Sequence, residues 1–403
     1  MTQDQDREKA EAKDKHMVRI ATSMSAFTQA EWDSLSGTTQ QQNTPYNPFI
    51  SYGFLKSLEV TNCVGIHSGW QPHHLRLENA DGRLLGAMPC YAKTNSQGEY
   101  VFDHGWADAF ERAGGRYYPK LQGSVPFTPA TGPRLLVAED SNSSIVKAAL
   151  AEAVKLVTDR LELSSAHITF LPQDDVPLLK AAGFLHRTDQ QFHFFNQGFS
   201  SYNDFLGTLA SRKRKALRKE RREALASGIT IDWLTGSDLS EAVWDDFFAF
   251  YMDTGSRKWG RPYLNRHFFS LISEYMAQDI LLVMARRNGR YIAGAINFIG
   301  SDTLYGRNWG CIEDHPFLHF EVCYHQAIDF AIAHRLKTVE AGAQGEHKLA
   351  RGYQPVTTHS MHYIAHPGFR RAVADYLRQE RQDVALTHDY LGKHTPFRKI
   401  AVD

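Results

Sequence analysis

The sequence predicts a mixed α/β fold built twice over, and three observations carry that prediction. First, two short segments repeat. "NPFISYGFL" (Asn47–Leu55) and "RPYLNRHFF" (Arg261–Phe269) share one pattern: proline, aromatic, aliphatic, Ser or Asn, two variable residues, phenylalanine and an apolar residue. Second, each is followed by two apolar runs joined by Asx-Gly, at Asp81-Gly82 in "HHLRLENADGRLLGAMPCY" and at Asn288-Gly289 in "ILLVMARRNGRYIAGAINFI". That dipeptide between apolar runs predicts a β-hairpin, because both residues tolerate positive φ. The two signals recur in the same order at similar offsets, 214 and 207 residues. Third, helix and strand signals alternate after each hairpin, which predicts a mixed sheet with helices on both faces.

Each element follows from local chemistry. Ser51 and Asn265 suit the N-cap of a helix, since a short polar side chain can accept from the first free backbone N–H groups. After its hairpin the first half predicts a helix over 143–159, a strand over 166–171, a helix over 176–182 and a closing strand over 184–195. The second predicts helices over 202–227, 240–254 and 265–277, with a strand at 229–234. Strands follow near 280–287, 291–299 and 302–309, then a helix over 318–334 and a strand at 338–341. A loop, a strand over 356–364 and a helix over 369–384 close it. The expected division is a tail at 1–16, a first domain at 17–196 and a second at 197–403.

Composition narrows the classes of function. Apolar residues make up 42% of the 403, enough for real cores. Lys plus Arg equal Asp plus Glu at 45 each, so polyanion binding must come from local patches, and no DNA partner is expected. The four cysteines (Cys63, Cys90, Cys311, Cys323) are far apart, which argues against a disulfide framework or zinc ribbon. The charged start "MTQDQDREKAEAKDKH" lacks the apolar core of a secretory signal, and no run is long enough to span a bilayer. The expectation is a soluble, cytoplasmic protein without a membrane span.

One stretch departs from that neutral balance. "SRKRKALRKERR" holds eight basic residues among the eleven from Arg212 to Arg222, with Glu220 the only acid. At roughly 100° per residue, Phe205, Leu206, Leu209, Ala210, Ala216, Leu217 and Ala224 share one half of a helix. Arg212, Arg214, Lys215, Arg218, Lys219, Arg221 and Arg222 take the other half or its edge, and only Lys213 intrudes on the apolar side. This predicts a docked amphipathic helix whose basic face binds an anion.

"LASRKRKALRKERREALASGITI" and "YMDTGSRKWGRPYLNRHFFSLISEYM" resemble the opening of the second domain of Fem-type non-ribosomal peptidyl transferases. "GEHKLARGYQP" is similar to that family's closing Phe-Lys-x-Gly-Phe-Gly turn. More closely, "RKWGRPYLNR", "LYGRNWG", "LHFEVCYHQAIDFAI" and "EAGAQGEHKLARGY" resemble the bacterial Fem-like N-acyltransferases, described as a peptidoglycan biosynthesis/recognition group. The likeness runs from about Asn47 to Arg398. It implies two tandem GNAT-type acyltransferase domains and amide formation by attack of an amine on an activated acyl group. Two departures matter. "RNWGCI" (Arg307–Ile312) begins the CoA pyrophosphate pattern but ends in Ile312, and Glu313, Asp314 and Pro316 follow. The donor is therefore open between acyl-CoA and aminoacyl-tRNA, with no tightly bound cofactor. The Phe-Lys pair of the Fem turn falls on Leu349-Ala350, flanked by Lys348 and Arg351.

Amide formation needs a neutral amine, a stabilised oxyanion and a protonated leaving group. Polar residues beside Gly342, Gly345 and Gly352 suit a ligand site at a strand end. Glu346 or His347 could take the amine proton, with Glu321 a further base or orienting group. Lys348 and Arg351 could hold a substrate phosphate or carboxylate, beside Gln344 and Tyr353. Arg257, Lys258 and Arg261, interleaved with Trp259 and Tyr263, form a second cationic and aromatic cluster for substrate. Tyr305, Arg307, Asn308 and Trp309 end a strand and could line the acyl channel. His104, Trp106, Tyr117, Tyr118 and Lys120 mark the corresponding region of the first half. His319, Glu321 and His325 lack an HExxH spacing or a following Pro-Cys-x-x-Cys, so no metal is expected. The function expected is an N-acyltransferase joining an acyl or aminoacyl donor to an amine of an anionic acceptor, a small molecule or a cell-envelope precursor. The competing expectation is a non-catalytic module that binds RNA or a phosphorylated partner through the basic helix.

Overall fold

The computed structural model describes residues 16–37, 45–138, 142–258, 262–342 and 345–398. Its first stretch runs β1 (Met17–Ala21), α1 (Gln29–Ser36), α2 (Tyr52–Val60), β2 (Trp70–Pro72), β3 (His74–Glu78), β4 (Leu84–Met88) and β5 (Cys90–Lys93). Next come α3 (His104–Arg112), β6 (Lys120–Gly123), β7 (Leu136–Val137), α4 (Ser143–Arg160), β8 (Ser165–Leu171), α5 (Val176–Ala181) and β9 (Leu185–Phe195). There follow α6 (Tyr202–Gly207), α7 (Ser211–Ala224), β10 (Thr230–Leu234), α8 (Glu241–Lys258) and α9 (Arg266–Met276). Then come β11 (Ile280–Arg287), β12 (Arg290–Ile299), β13 (Thr303–Cys311) and α10 (Leu318–Phe320), a π-turn (Glu321–His325) and α11 (Gln326–Ala333). The chain closes with β14 (Thr338–Glu340), β15 (Gln354–Ile364) and α12 (Pro367–Lys393).

The repeated segments form as their chemistry dictates. Ser51 caps α2 by accepting from Phe54 N–H, and Asn265 caps α9 by accepting from Phe268 N–H. Both residues of the Asn288-Gly289 turn have positive φ, at 51° and 79°. One predicted helix, over 202–227, is two. Its backbone is captured at the break by distant residues: Ala210 N–H donates to the Pro396 carbonyl and Arg398 N–H to that of Thr208.

The chain forms two compact units. One runs to Thr188 and also takes in Thr358–Gln382; the other holds Asp189–Thr357 and the residues from Asp383 onward. This differs from consecutive domains at 17–196 and 197–403, and strand pairing is the reason. In the first unit β1, β3 and β4 pair antiparallel; β5 pairs antiparallel with β6, β6 parallel with β8, and β8 antiparallel with β15. In the second, β10, β11, β12 and β13 pair antiparallel in turn; β13 then runs parallel to β14, which pairs antiparallel with β9. The order of pairing is similar in the two units, except that in the first it is broken between β4 and β5, which lie in separate sheets. Each sheet is completed by a strand whose sequence neighbours lie in the other unit, so β9 does not close the half that precedes it.

Each unit has its own core. In the first, Leu75 and Met88 of one sheet and Leu121, Ile168 and Met361 of another meet Val146, Leu150 and Val154 of α4. In the second, Leu281, Val283 and Leu304 meet Val322, Ile328 and Phe330. Residues 280–285 are buried without alternation because helices cover both faces. On the far face α8 approaches so closely that a side chain at Gly310 would meet the Phe250 carbonyl at 2.0 Å.

Candidate active site in the second unit

The parallel pair β13/β14 is short. Thr303, Leu304 and Tyr305 pair with Thr338, Val339 and Glu340; beyond that β14 ends and β13 continues to Cys311. A register shift against β12 falls there, between Ala295 opposite Trp309 and Asn297 opposite Gly306, so Arg307 and Asn308 bulge. A bulge interrupts the ladder and re-aims backbone N–H groups and side chains. Asn308 is half-buried, and its side-chain amide has no hydrogen bond among the described residues.

The turn after β14 delivers His347 to this region. Its imidazole is exposed, and Nε2 lies 3.0 Å from the Tyr324 hydroxyl. Gly345 leaves room for the ring: at φ 103° it is a position for glycine, and a Cβ there would meet His347 Cε1 at 2.1 Å. His319, Phe320 and Tyr324 surround the imidazole at centroid distances of 6.4, 5.4 and 5.5 Å, and Trp309 packs on His319 at 5.2 Å. Burial, then the Arg351 and Lys348 charges, hold the imidazole below its ordinary pKa, so it is neutral at pH 7. Burial pushes the Tyr324 phenol up, so its hydroxyl keeps its proton.

Helix α7 is anchored through its inner side. Glu220 accepts from Arg351 Nε and Nη2 at 2.8 and 2.6 Å, and lies 2.7 Å from His325 Nε2. Arg221 turns inward to Glu321 and Asp329, at 2.7 Å each. Arg212, Lys215, Arg218, Lys219 and Arg222 are exposed, and at roughly 100° per residue they share one face. Among the described residues no helix is long and apolar enough to cross a membrane, and no three His, Cys, Asp or Glu are grouped to hold a metal.

The family model for FemAB-like proteins, of peptidoglycan biosynthesis/recognition, matches residues 23–399. The chain belongs to the FemAB-like family. Among solved structures the family fold is shared with FemX, at 12% identity and a TM-score of 0.53 over 86% of this chain and 98% of that one. It is shared too with the C-terminal domain of a putative lysylphosphatidylglycerol synthetase from Agrobacterium fabrum: 9% identity, TM-score 0.52, 87% of this chain and 97% of that one. No curated protein matches the sequence. The fold is thus the mixed α/β fold that FemX shares.

The residues expected at the site of this FemAB-like chain fall into three groups. His347 and Trp309 come together on either side of His319, with Asn308 preceding Trp309 on the bulge, and Arg212, Lys215, Arg218 and Lys219 present an open cationic face. Others are brought near but are already engaged. Glu321, expected to be catalytic, is fully buried and accepts from Arg221 and from Gln326 Nε2 at 2.7 Å, so it acts as a structural carboxylate. Lys348, expected to bind an anion, is 3% exposed, donates to the Ala341 and Gly342 carbonyls, and is pulled down to about 8 by burial. Arg351 spends its guanidinium on Glu220 and the His347 carbonyl, and Tyr353 is a core residue with no exposure. Tyr305 is also buried, while Arg214 is half-buried and Tyr263 exposed. Ala216 and Lys213, expected on the docked side of the basic helix, are exposed. Trp259, Arg261 and Gln344 lie outside the described residues, as do the side chains of Arg257, Lys258 and Glu346. Glu313, expected to repel phosphate, is paired with Arg287 and Arg290 at 3.0 and 2.6 Å, and its Oε2 lies 2.9 Å from His315 Nε2. Sequence reasoning missed Tyr324 and Phe320, whose only signal is an aromatic spacing that core residues share.

Proposed function

We propose that the chain transfers an acyl or aminoacyl group to an amine of an anionic cell-envelope acceptor, with His347 as the proton acceptor. The observation that carries this reading is an exposed, neutral imidazole beside a bulged strand whose parallel partner has ended. With Tyr324 accepting from Nε2–H, the lone pair on Nδ1 takes the proton of the attacking ammonium, and the freed amine adds to the donor carbonyl. The Asn308 amide and the backbone N–H groups of the bulge offer hydrogen bonds to the oxyanion as it forms. Collapse of the adduct expels the leaving group, which takes the proton from the imidazolium, and the amide nitrogen sheds its remaining extra proton to solvent.

The cationic row on α7 favours an aminoacyl-tRNA donor over acyl-CoA. Five cations on one face, over about 15 Å of helix, suit a phosphodiester backbone. The likeness to FemX and to a lysylphosphatidylglycerol synthetase domain supports an acceptor in envelope synthesis. The test is single-turnover transfer from charged tRNA and from acyl-CoA to amine-bearing envelope precursors, with the natural chain and with His347→Ala. Transfer from charged tRNA that His347→Ala abolishes supports the reading. Tight tRNA binding without transfer to any amine would favour a non-catalytic RNA-binding module instead.

A further inference from the structure

We propose that Glu220, the single acid of the basic stretch, is a positioning residue for the His347 loop; this rests on the reading of His347 as proton acceptor. Its two carboxylate oxygens take Arg351 in a fork, at 2.8 Å to Nε and 2.6 Å to Nη2. A bidentate pair fixes the plane of the guanidinium as well as its position. Two further contacts depend on that plane. Arg351 Nη1 donates to the His347 carbonyl at 2.7 Å, and Cζ lies 3.4 Å from the Phe320 ring centroid. The Phe320 ring in turn flanks the His347 imidazole. Glu220 therefore holds both the backbone of His347 and the aromatic wall beside it.

The same carboxylate reaches a second element of the site. His325 Nε2 lies 2.7 Å from Glu220 Oε1, and its Nδ1 lies 2.6 Å from the Tyr202 hydroxyl. His325 belongs to the π-turn that also carries Tyr324, the hydrogen-bond partner of His347. Turns of this kind widen a helix and displace the side chains they carry. Glu220 thus ties α7 to the loop that holds the base and to the turn that holds its phenol. An arginine or lysine here, as in its neighbours, would leave Arg351 facing like charge.

The His347 imidazole is faced by Arg351 and Lys348, which lower its affinity for a proton, and by Glu220, which raises it. Glu220→Gln keeps the size of the side chain and removes its charge. The experiment is an NMR titration of His347 in the full chain, natural and Glu220→Gln, beside the pH profile of transfer. The imidazole midpoint should fall by several tenths of a pH unit or more, about a two- to tenfold change in proton affinity. The acid limb of the profile should move with it, and kcat should drop about tenfold while KM for the acceptor holds. Arg351→Lys, which keeps the charge and loses the fork, should lower kcat and move the His347 midpoint from its natural value. An unchanged His347 midpoint and acid limb in a folded Glu220→Gln protein would overturn the proposal, whatever happened to its melting temperature. If Glu220→Gln unfolds, the Arg351→Lys titration decides in the same way. Transfer that survives His347→Ala would instead remove the underlying reading, and the NMR midpoint distinguishes the two failures.

Discussion

Where the short parallel pair of strands ends, the two units do opposite things. In the second, β13 bulges, the Asn308 amide is left without a bond among the described residues and His347 stands exposed. In the first, the same place beside β6 and β8 is filled. Arg134 is 1% exposed and donates to the carbonyls of Ala130, Gly132, Pro133 and Thr169, the last on β8. The polar side of that sheet is buried as well. Tyr91, Gln122, His167 and His362 follow one another across four strands, next to Lys93 and Lys120. Lys120 bonds Glu99 at 2.8 Å and Asp103 at 2.5 Å. A duplicated strand order therefore does not duplicate a site. Accessibility separates them, since a base buried inside its unit meets no substrate.

Breaking the comparison at its strongest point means removing one group from each unit. His347→Ala should cut transfer by about 10²–10⁴-fold, the usual worth of a general base, with little change in stability. Lys120→Met should do the reverse. Asp103 loses its cation and Glu99 the nearer of its two, at a cost of about 3–5 kcal/mol seen as a lower urea midpoint, while the rate per folded molecule holds. A large loss of rate from a folded Lys120→Met protein would show that the first unit takes part in the chemistry.

A titration sharpens the contrast at the next scale. Burial drives His167 down to about 3, so it is neutral when folded but takes a proton near pH 6.5 when unfolded. A folded pKa below the unfolded one means that this stability is fully present above pH 6.5 and is lost as the pH falls. Going to about pH 4.5 should cost about 2–3 kcal/mol from this residue, and His167→Asn should flatten that slope in urea unfolding. Equal slopes for the two proteins would mean that the ring is hydrated rather than sealed.

The smallest effect concerns the outer face of α7. Lys215→Gln with Lys219→Gln should leave stability within about 0.5 kcal/mol, because both side chains are exposed. The slope of log K for tRNA against log salt should shrink by about 1.4–1.8, two fewer phosphate contacts. An unaltered slope would move the anion site elsewhere.

Much of the fold was legible because its signals are local. The caps Ser51 and Asn265 and the turn Asn288-Gly289 each report on a few neighbouring residues and formed where expected, whereas the apolar period over 202–227 ran through a helix break. The site was legible only in part. His347 and the cations of α7 could be named, since a histidine among glycines and an unbalanced basic run stand out in any context. Glu220 was visible as the one acid in that run, but nothing nearby told of Arg351, 131 residues away. Glu321, Lys348 and Arg351 had the right chemistry for a site and turned out to be engaged with partners inside the protein.

By itself, then, the sequence determined the elements, their duplication and the basic character of one helix, because those rest on interactions within a few residues. Tertiary structure alone decided which strand completes which sheet, and which charged groups face solvent rather than one another. Strand partners and buried ion pairs are chosen by the free energy of the whole packed unit, and that sum has no short-range trace along the chain.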